Sequence, residues 1–202
     1  MAEAAPRWVV TGPLGAGKSL AAGLLRERGA AVVDGDALGH AVLGEPGVAD
    51  AVAAAFGAGV LQGGRVARAE LGRLVFADPR ARERLEAIVH PPLAARMTAA
   101  LAAAALGPPR PRLAVLEAAV YFWLAPLAGV DLVVAVLADR PTRRARLLAA
   151  GRWDAAEVDR RLDAQRHLEP LWSRADVILD NSGDRAALAV ALDRLLAARL
   201  PA

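Results

Sequence analysis

Val9-Val10-Thr11-Gly12-Pro13-Leu14-Gly15-Ala16-Gly17-Lys18-Ser19 reads as a buried strand, a glycine-rich loop and the start of a helix. Gly12 to Ser19 match the phosphate-binding pattern G-x-x-x-x-G-K-[ST] at every fixed position. Glycines let the backbone curl so that successive N–H groups face phosphate oxygens. The following helix brings its positive dipole end to the same place. Lys18 is expected at the β- and γ-phosphates and Ser19 at Mg²⁺. The expected nucleotide contacts are Gly12, Pro13, Leu14, Gly15, Ala16, Gly17, Lys18, Ser19 and Leu20.

Composition supports this reading. Of the 25 basic residues, one is a lysine, Lys18, and the rest are arginine. A compact ammonium between phosphates is not replaced by a planar guanidinium, so the lone lysine marks its position. The context also fits: Trp8 to Val10 is apolar, and Leu20 to Arg28 has helical spacing before Gly29.

The 202 residues suit one domain with a lobe inserted in it, and a hydrophobic fraction of 55% supplies a core. The absence of cysteine excludes disulfides and thiolate metal sites. Met1 to Arg7 is too short and polar for a signal peptide. Leu113 to Ala138 is interrupted by Glu117, Pro126, Gly129 and Asp131, so it reads as two strands and a connection, not a membrane span. The net charge of +3 and pI near 10.4 come largely from arginine. No basic run interleaved with aromatics points to nucleic acid. A cytoplasmic protein without nucleic-acid or membrane partners is expected, as a monomer or weak oligomer.

Strands are expected at 7–11, 30–33, 113–116, 132–137 and 175–179, alternating with helices. That order gives an α/β fold with a five-stranded parallel sheet. Ligands in such folds sit at the carboxyl ends of strands, where the glycine loop and Asp34-Gly35-Asp36 both lie. From 37 to 105 the strand signal disappears and apolar residues recur at helical spacing. These roughly 70 residues exceed a crossover of about a dozen, so they read as an inserted helical substrate lobe. The chain divides into a core (1–36, 106–139 and 175–202), that lobe (37–105) and a helical lid (140–174). Within the lid, Arg140 to Arg152 holds five arginines and no acid. His167 lies in a charged helix and reads as solvated.

Taken together, the motifs resemble those of the dephospho-CoA kinases, which are P-loop kinases. The resemblance runs from Val9 to Gly183. It is carried by Thr11 to Ser19, by Val33-Asp34-Gly35-Asp36 with His40, and by Val75-Phe76-Ala77-Asp78-Pro79. It continues through Leu85-Glu86-Ala87-Ile88-Val89-His90-Pro91, Arg146, Gln165, Ala175-Asp176-Val177-Ile178 and Asn181-Ser182-Gly183. It implies transfer of the ATP γ-phosphoryl group to the ribose 3′-hydroxyl of dephospho-CoA, giving CoA and ADP. The cofactors implied are ATP and Mg²⁺.

Asp34 is then the candidate base for the 3′-hydroxyl proton. Asp36 is left between Mg²⁺ and capping the next helix. Glu117 is left between a Mg²⁺–water ligand and a surface acid. Asp36, His40, His90, Pro91 and Glu117 are the substrate-side candidates, with Pro91 holding His90 extended. Arg146 and Arg152 are the lid candidates for the phosphates, and Asn181 joins the nucleotide side. Three positions depart from the family pattern. Trp123 stands where a glutamate is usual. Ala150 stands where an arginine is usual, with Arg152 two residues on. Trp172 stands where a lysine is usual, with Arg174 nearby. A lid arginine of this kind is worth roughly 10³ to 10⁵ in rate. Another small-molecule or nucleoside monophosphate kinase, or a disabled nucleotide- or CoA-binding protein, is the alternative.

Overall fold

The computed structural model describes residues 4–200, without the side chains of Phe76, Ala77 and His167. The expectations placed on Met1 to Glu3, on those two residues of the lobe motif and on the His167 side chain lie outside the described residues. Among the described residues no helix is long and apolar enough to cross a membrane.

In chain order the elements begin with β1 (Arg7–Thr11), α1 (Lys18–Glu27), β2 (Ala30–Asp34), α2 (Gly35–Val42) and α3 (Pro46–Phe56). A short hairpin, β3 (Leu61–Gln62) and β4 (Arg65–Val66), precedes α4 (Arg68–Ala77) and α5 (Pro79–Leu106). The rest is β5 (Leu113–Glu117), β6 (Leu132–Leu137), α6 (Arg140–Ala149), α7 (Ala155–Ala164), α8 (Glu169–Trp172), β7 (Val177–Asp180) and α9 (Arg185–Arg199).

β2, β5, β1, β6 and β7 form one parallel sheet in that order. β1 is central because its side chains are apolar on both faces, as a doubly covered parallel strand requires. Val9 and Val10 are fully buried. On one face Trp8 and Val10 join Leu24 and Leu25 of α1 and Leu188, Leu192 and Leu196 of α9. The loop after β1 approaches β6 so closely that a Cβ on Gly12 would overlap the backbone carbonyl of Val136. With φ at 143°, Gly12 also holds a conformation that side chains disfavour. Any side chain there displaces the phosphate loop or the sheet.

The chain forms two compact units. One holds 1–34, 100–122 and 129–202, and the other holds 35–99 and 123–128. The second is mostly helical, as its spacing predicts, but it also contains the β3–β4 hairpin, which the sequence reading lacks. Gly63 and Gly64, with φ of 56° and 76°, make its two-residue turn. Strands of two residues leave no periodic signal to read.

His90 also differs from expectation. Pro91 does not hold it extended, because His90, Pro91 and Pro92 all lie inside α5. Each proline removes one helical hydrogen bond and crowds the preceding turn. The helix continues regardless, with Leu93, Met97 and Leu101 buried on one side. Tertiary packing overrides the local preference.

Candidate active site

α1 begins with Gly17 at its N-cap, at φ 97°, and has no acid in its first turn. The first N–H groups of a helix have no intrahelical acceptor, so this positive end suits an anion. A Cβ on Gly17 would collide with the Asn181 amide nitrogen. That amide donates to the Ala16 carbonyl at 2.7 Å, and the Asn181 backbone N–H donates to Leu137 O at 2.6 Å. Asn181 is thus the strut between the loop after β7 and the phosphate loop. Its Oδ1 is buried without a partner. Arg146 reaches the same place: its Nη2 donates to Gly183 O at 3.0 Å, while its Nη1 is buried without a partner. An unused acceptor and an unused donor therefore sit beside Gly17.

Within the loop the contributions divide. Lys18 Nζ donates to Pro13 O at 3.1 Å, which folds the ammonium back over the loop. Pro13 has no N–H to give. The Leu14 N–H donates to Gln165 Oε1 at 2.8 Å. Ala16 N–H reaches Pro13 O at 3.3 Å. Leu20 packs its side chain on the core, so its backbone is what remains for a ligand.

At the strand ends, Asp34 and Glu117 are register partners on β2 and β5. Adjacent parallel strands lie about 4.8 Å apart, so registered side chains share a face. Ser19 Oγ donates to Glu117 Oε1 at 2.6 Å. A hydroxyl and a carboxylate paired at a strand end are hard oxygen donors, and Mg²⁺ accepts such a set with phosphates and waters filling its octahedron. The residues fit the ion. Among the described residues there is no cluster of three or more histidine or acidic ligands, so a dedicated all-protein metal cage is not what the site offers. Asp34 directly precedes α2, and Asp36 lies in that helix's first turn. Asp36 is therefore not the N-cap, the alternative left open for it. As a first-turn carboxylate it favours the helix dipole instead.

The arginines of α6 and of the loop after it differ in their partners. Arg140 pairs with Asp163 at 2.9 Å, and Arg144 clasps Asp159 with two bonds of 2.8 and 3.0 Å. The Arg152 guanidinium lies 5.2 Å from the Trp153 ring centre, and Arg161 also covers that ring at 4.3 Å. Ala150 ends α6 as its C-cap. Trp172 is buried and packs edge-on against Phe122, with Arg174 over the same phenyl ring. Beside them, burial pushes the Tyr121 hydroxyl pKa up.

In the second unit His90 is half-buried on α5. His40 is exposed and lines a cavity of about 410 Å³ with Glu45, Arg65 and Arg68. Glu45 is held by Arg96 at 2.6 Å. Arg143 is not among the residues that the sequence motifs single out, and Gln165, which the resemblance places with the lid and adenine-side segments, holds the Leu14 N–H. Arg143 could have been found from its spacing of four from Leu147, which places it on the buried face of α6.

A family model described as Dephospho-CoA kinase (CoaE) matches residues 8–187. The chain belongs to the dephospho-CoA kinase family. A curated protein of that name from Anaeromyxobacter dehalogenans is 44% identical over 194 residues, covering 93% of this chain and 89% of that one. Another from Deinococcus radiodurans is 40% identical over 188 residues, covering 93% and 89%. The crystal structure of TT1252 from Thermus thermophilus has a TM-score of 0.77 at 31% identity, covering 98% of this chain and 100% of that one. A shikimate kinase from Acinetobacter baumannii, at 14% identity and a TM-score of 0.55 over 98% and 96% of the two chains, shares the fold. The chain is therefore a kinase, and ATP is the phosphoryl donor that a kinase of this family binds.

Proposed function

We propose that the chain phosphorylates the ribose 3′-hydroxyl of dephospho-CoA, releasing CoA and ADP, as the last step of coenzyme A biosynthesis. The observation that carries the residue assignments is the grouping of Lys18, Ser19, Asp34 and Glu117 at the carboxyl ends of adjacent strands. Lys18 and the loop amides bind and orient the β- and γ-phosphates. Ser19 and Glu117 would hold Mg²⁺, which neutralises phosphate charge when bound. Asp34 accepts the 3′-hydroxyl proton as the new O–P bond forms and the bond to the ADP oxygen breaks. Arg146 and Asn181 bind the nucleotide beside Gly17. Little covalent chemistry falls to the protein, so positioning and charge carry the rate.

We take 37–105 as the substrate lobe, with Asp36, His40, His90 and Pro91 on the acceptor side, and 140–174 as the lid. The same reading makes the protein cytoplasmic, a monomer or weak oligomer, with no nucleic-acid or membrane partner. The test is ADP release from Mg-ATP with dephospho-CoA, with a panel of nucleoside monophosphates, and with no acceptor. ADP formed with dephospho-CoA alone, and lost in Lys18→Ala, supports the reading. ADP formed with a nucleoside monophosphate instead, or with no acceptor, overturns it.

A further inference from the structure

We infer that Arg143 is a further cation of the nucleotide site, buried behind the tip of the phosphate loop and acting on the triphosphate through it. The inference rests on ATP binding and not on the identity of the acceptor.

The open side of Gly15 faces α6 at close range, where an added Cβ would lie 3.1 Å from the Arg143 carbonyl oxygen, 3.1 Å from Leu147 Cγ and 3.3 Å from Arg143 Cβ. Leu14 packs its side chain on the small core of Leu147, Val158 and Leu162. Its N–H is held by Gln165. The tip of the loop is thus set against the lid helices, and Arg143 sits at that contact.

Arg143 is 5% exposed. Among the described residues its one carboxylate in ion-pair range is Glu169, at 3.8 Å and 63% exposed. Its Nε is buried without an acceptor. Burial presses its pKa downward, yet a guanidinium keeps its proton. The other arginines of α6 are differently placed: Arg140 and Arg144 are neutralised by Asp163 and Asp159, and Arg146 bonds Gly183. Asp139 adds a weaker attraction while it caps the Thr142 N–H, and a buried cation with such loose partners is costly unless an anion compensates it. The site one loop away is built for a polyanion. A charge in this low-dielectric position is weakly screened and acts over several ångströms. Ala150, at the end of the helix, carries no charge; Arg143 adds positive potential at the loop tip.

A field contribution scales with ligand charge, whereas a structural one does not. The test is therefore binding of ATP, ADP and AMP to the full chain without any acceptor, by calorimetry at two salt concentrations. Arg143→Met should raise Kd for ATP about tenfold, for ADP less, and for AMP by under about twofold, as a charge interaction predicts. Arg143→Lys should restore most of the ATP affinity. Glu169→Gln, at an exposed position that leaves packing intact, should tighten ATP about two- to threefold and leave AMP unchanged. It decides the matter if Arg143→Met does not fold. Equal weakening of ATP and AMP by Arg143→Met, or no tightening by Glu169→Gln, overturns the inference. ADP release with dephospho-CoA is read separately, so a failure of the acceptor assignment leaves these binding ratios standing.

Discussion

The phosphate loop and the helical lobe are built on opposite principles. Around the loop nearly every functional group has a neighbour that fixes it. Asn181 bonds Ala16, Gln165 bonds Leu14, Lys18 bonds Pro13 and Glu117 accepts from Ser19. In the lobe, His40, Arg65 and Arg68 are exposed around an open cavity, and the bond described there fixes Glu45 to Arg96. The difference is chemical. A triphosphate is the same in every turnover and rewards a preorganised cradle. If the lobe takes the acceptor as proposed, its exposed side chains would be ordered on binding, at a cost in affinity.

The comparison breaks most readily at Lys18. Lys18→Ala removes the ammonium while leaving the loop backbone in place. A fall in kcat of about 10³ or more is expected, read as ADP release with saturating dephospho-CoA. Residual turnover near the parent rate would mean that the arginines of the lid carry the phosphates without it.

Asp34→Asn should have the next largest effect. Loss of a positioned base lowers kcat by about 10², while the ATP dissociation constant stays within about twofold. An equal loss in ATP affinity would move Asp34 from proton acceptor to the metal side of the site. Glu117→Gln should do the reverse. It removes a charge beside Ser19, so the Mg²⁺ concentration needed for half-maximal turnover should rise about tenfold, consistent with the weaker hold of a neutral oxygen on Mg²⁺.

The lobe should respond differently in kind. His40→Ala and His90→Ala are expected to raise KM for dephospho-CoA by about three- to tenfold without altering KM for ATP. A change in the ATP value instead would show that the two halves are not separable in function.

These contrasts follow how the chain encodes each half. The loop is legible in sequence because its signal is local: glycines, one lysine and a serine within eight residues. Asp34 and Glu117 are legible as strand ends, since a parallel sheet brings such ends together. Arg143 is not legible as a site residue, because its partner Gly15 lies more than a hundred residues away and five arginines crowd one stretch. Its place on the buried face of α6 can be read from its spacing to Leu147, but its approach to Gly15 follows from packing, which no composition reveals. His90 misleads for a related reason: the rule for a residue before proline is local, whereas α5 is held by Leu93, Met97 and Leu101 further along.

The smallest expected effect tests the lid's own anchorage. Asp139 caps α6 by accepting from the Thr142 N–H at 2.7 Å, and Asp159 is clasped by Arg144. Both carboxyls are held below their ordinary range, Asp139 chiefly by its bonds to Thr142 and Asp159 chiefly by its bond to Arg144. A depressed folded-state value means that the stabilisation is complete above the unfolded value of about 3.9. It is lost as pH falls through the lower folded values. Both groups are at the surface, so salt and solvent keep the contribution small. Protection of the α6 and α7 amides, taken relative to the intrinsic exchange rate at each pH, should therefore fall below about pH 4, before protection in β1 does. A parallel loss of protection in β1 would mean that the loop, the lid and the sheet open as one unit. Exchange confined to α6 and α7 would mean that the lid loosens while the central strand holds.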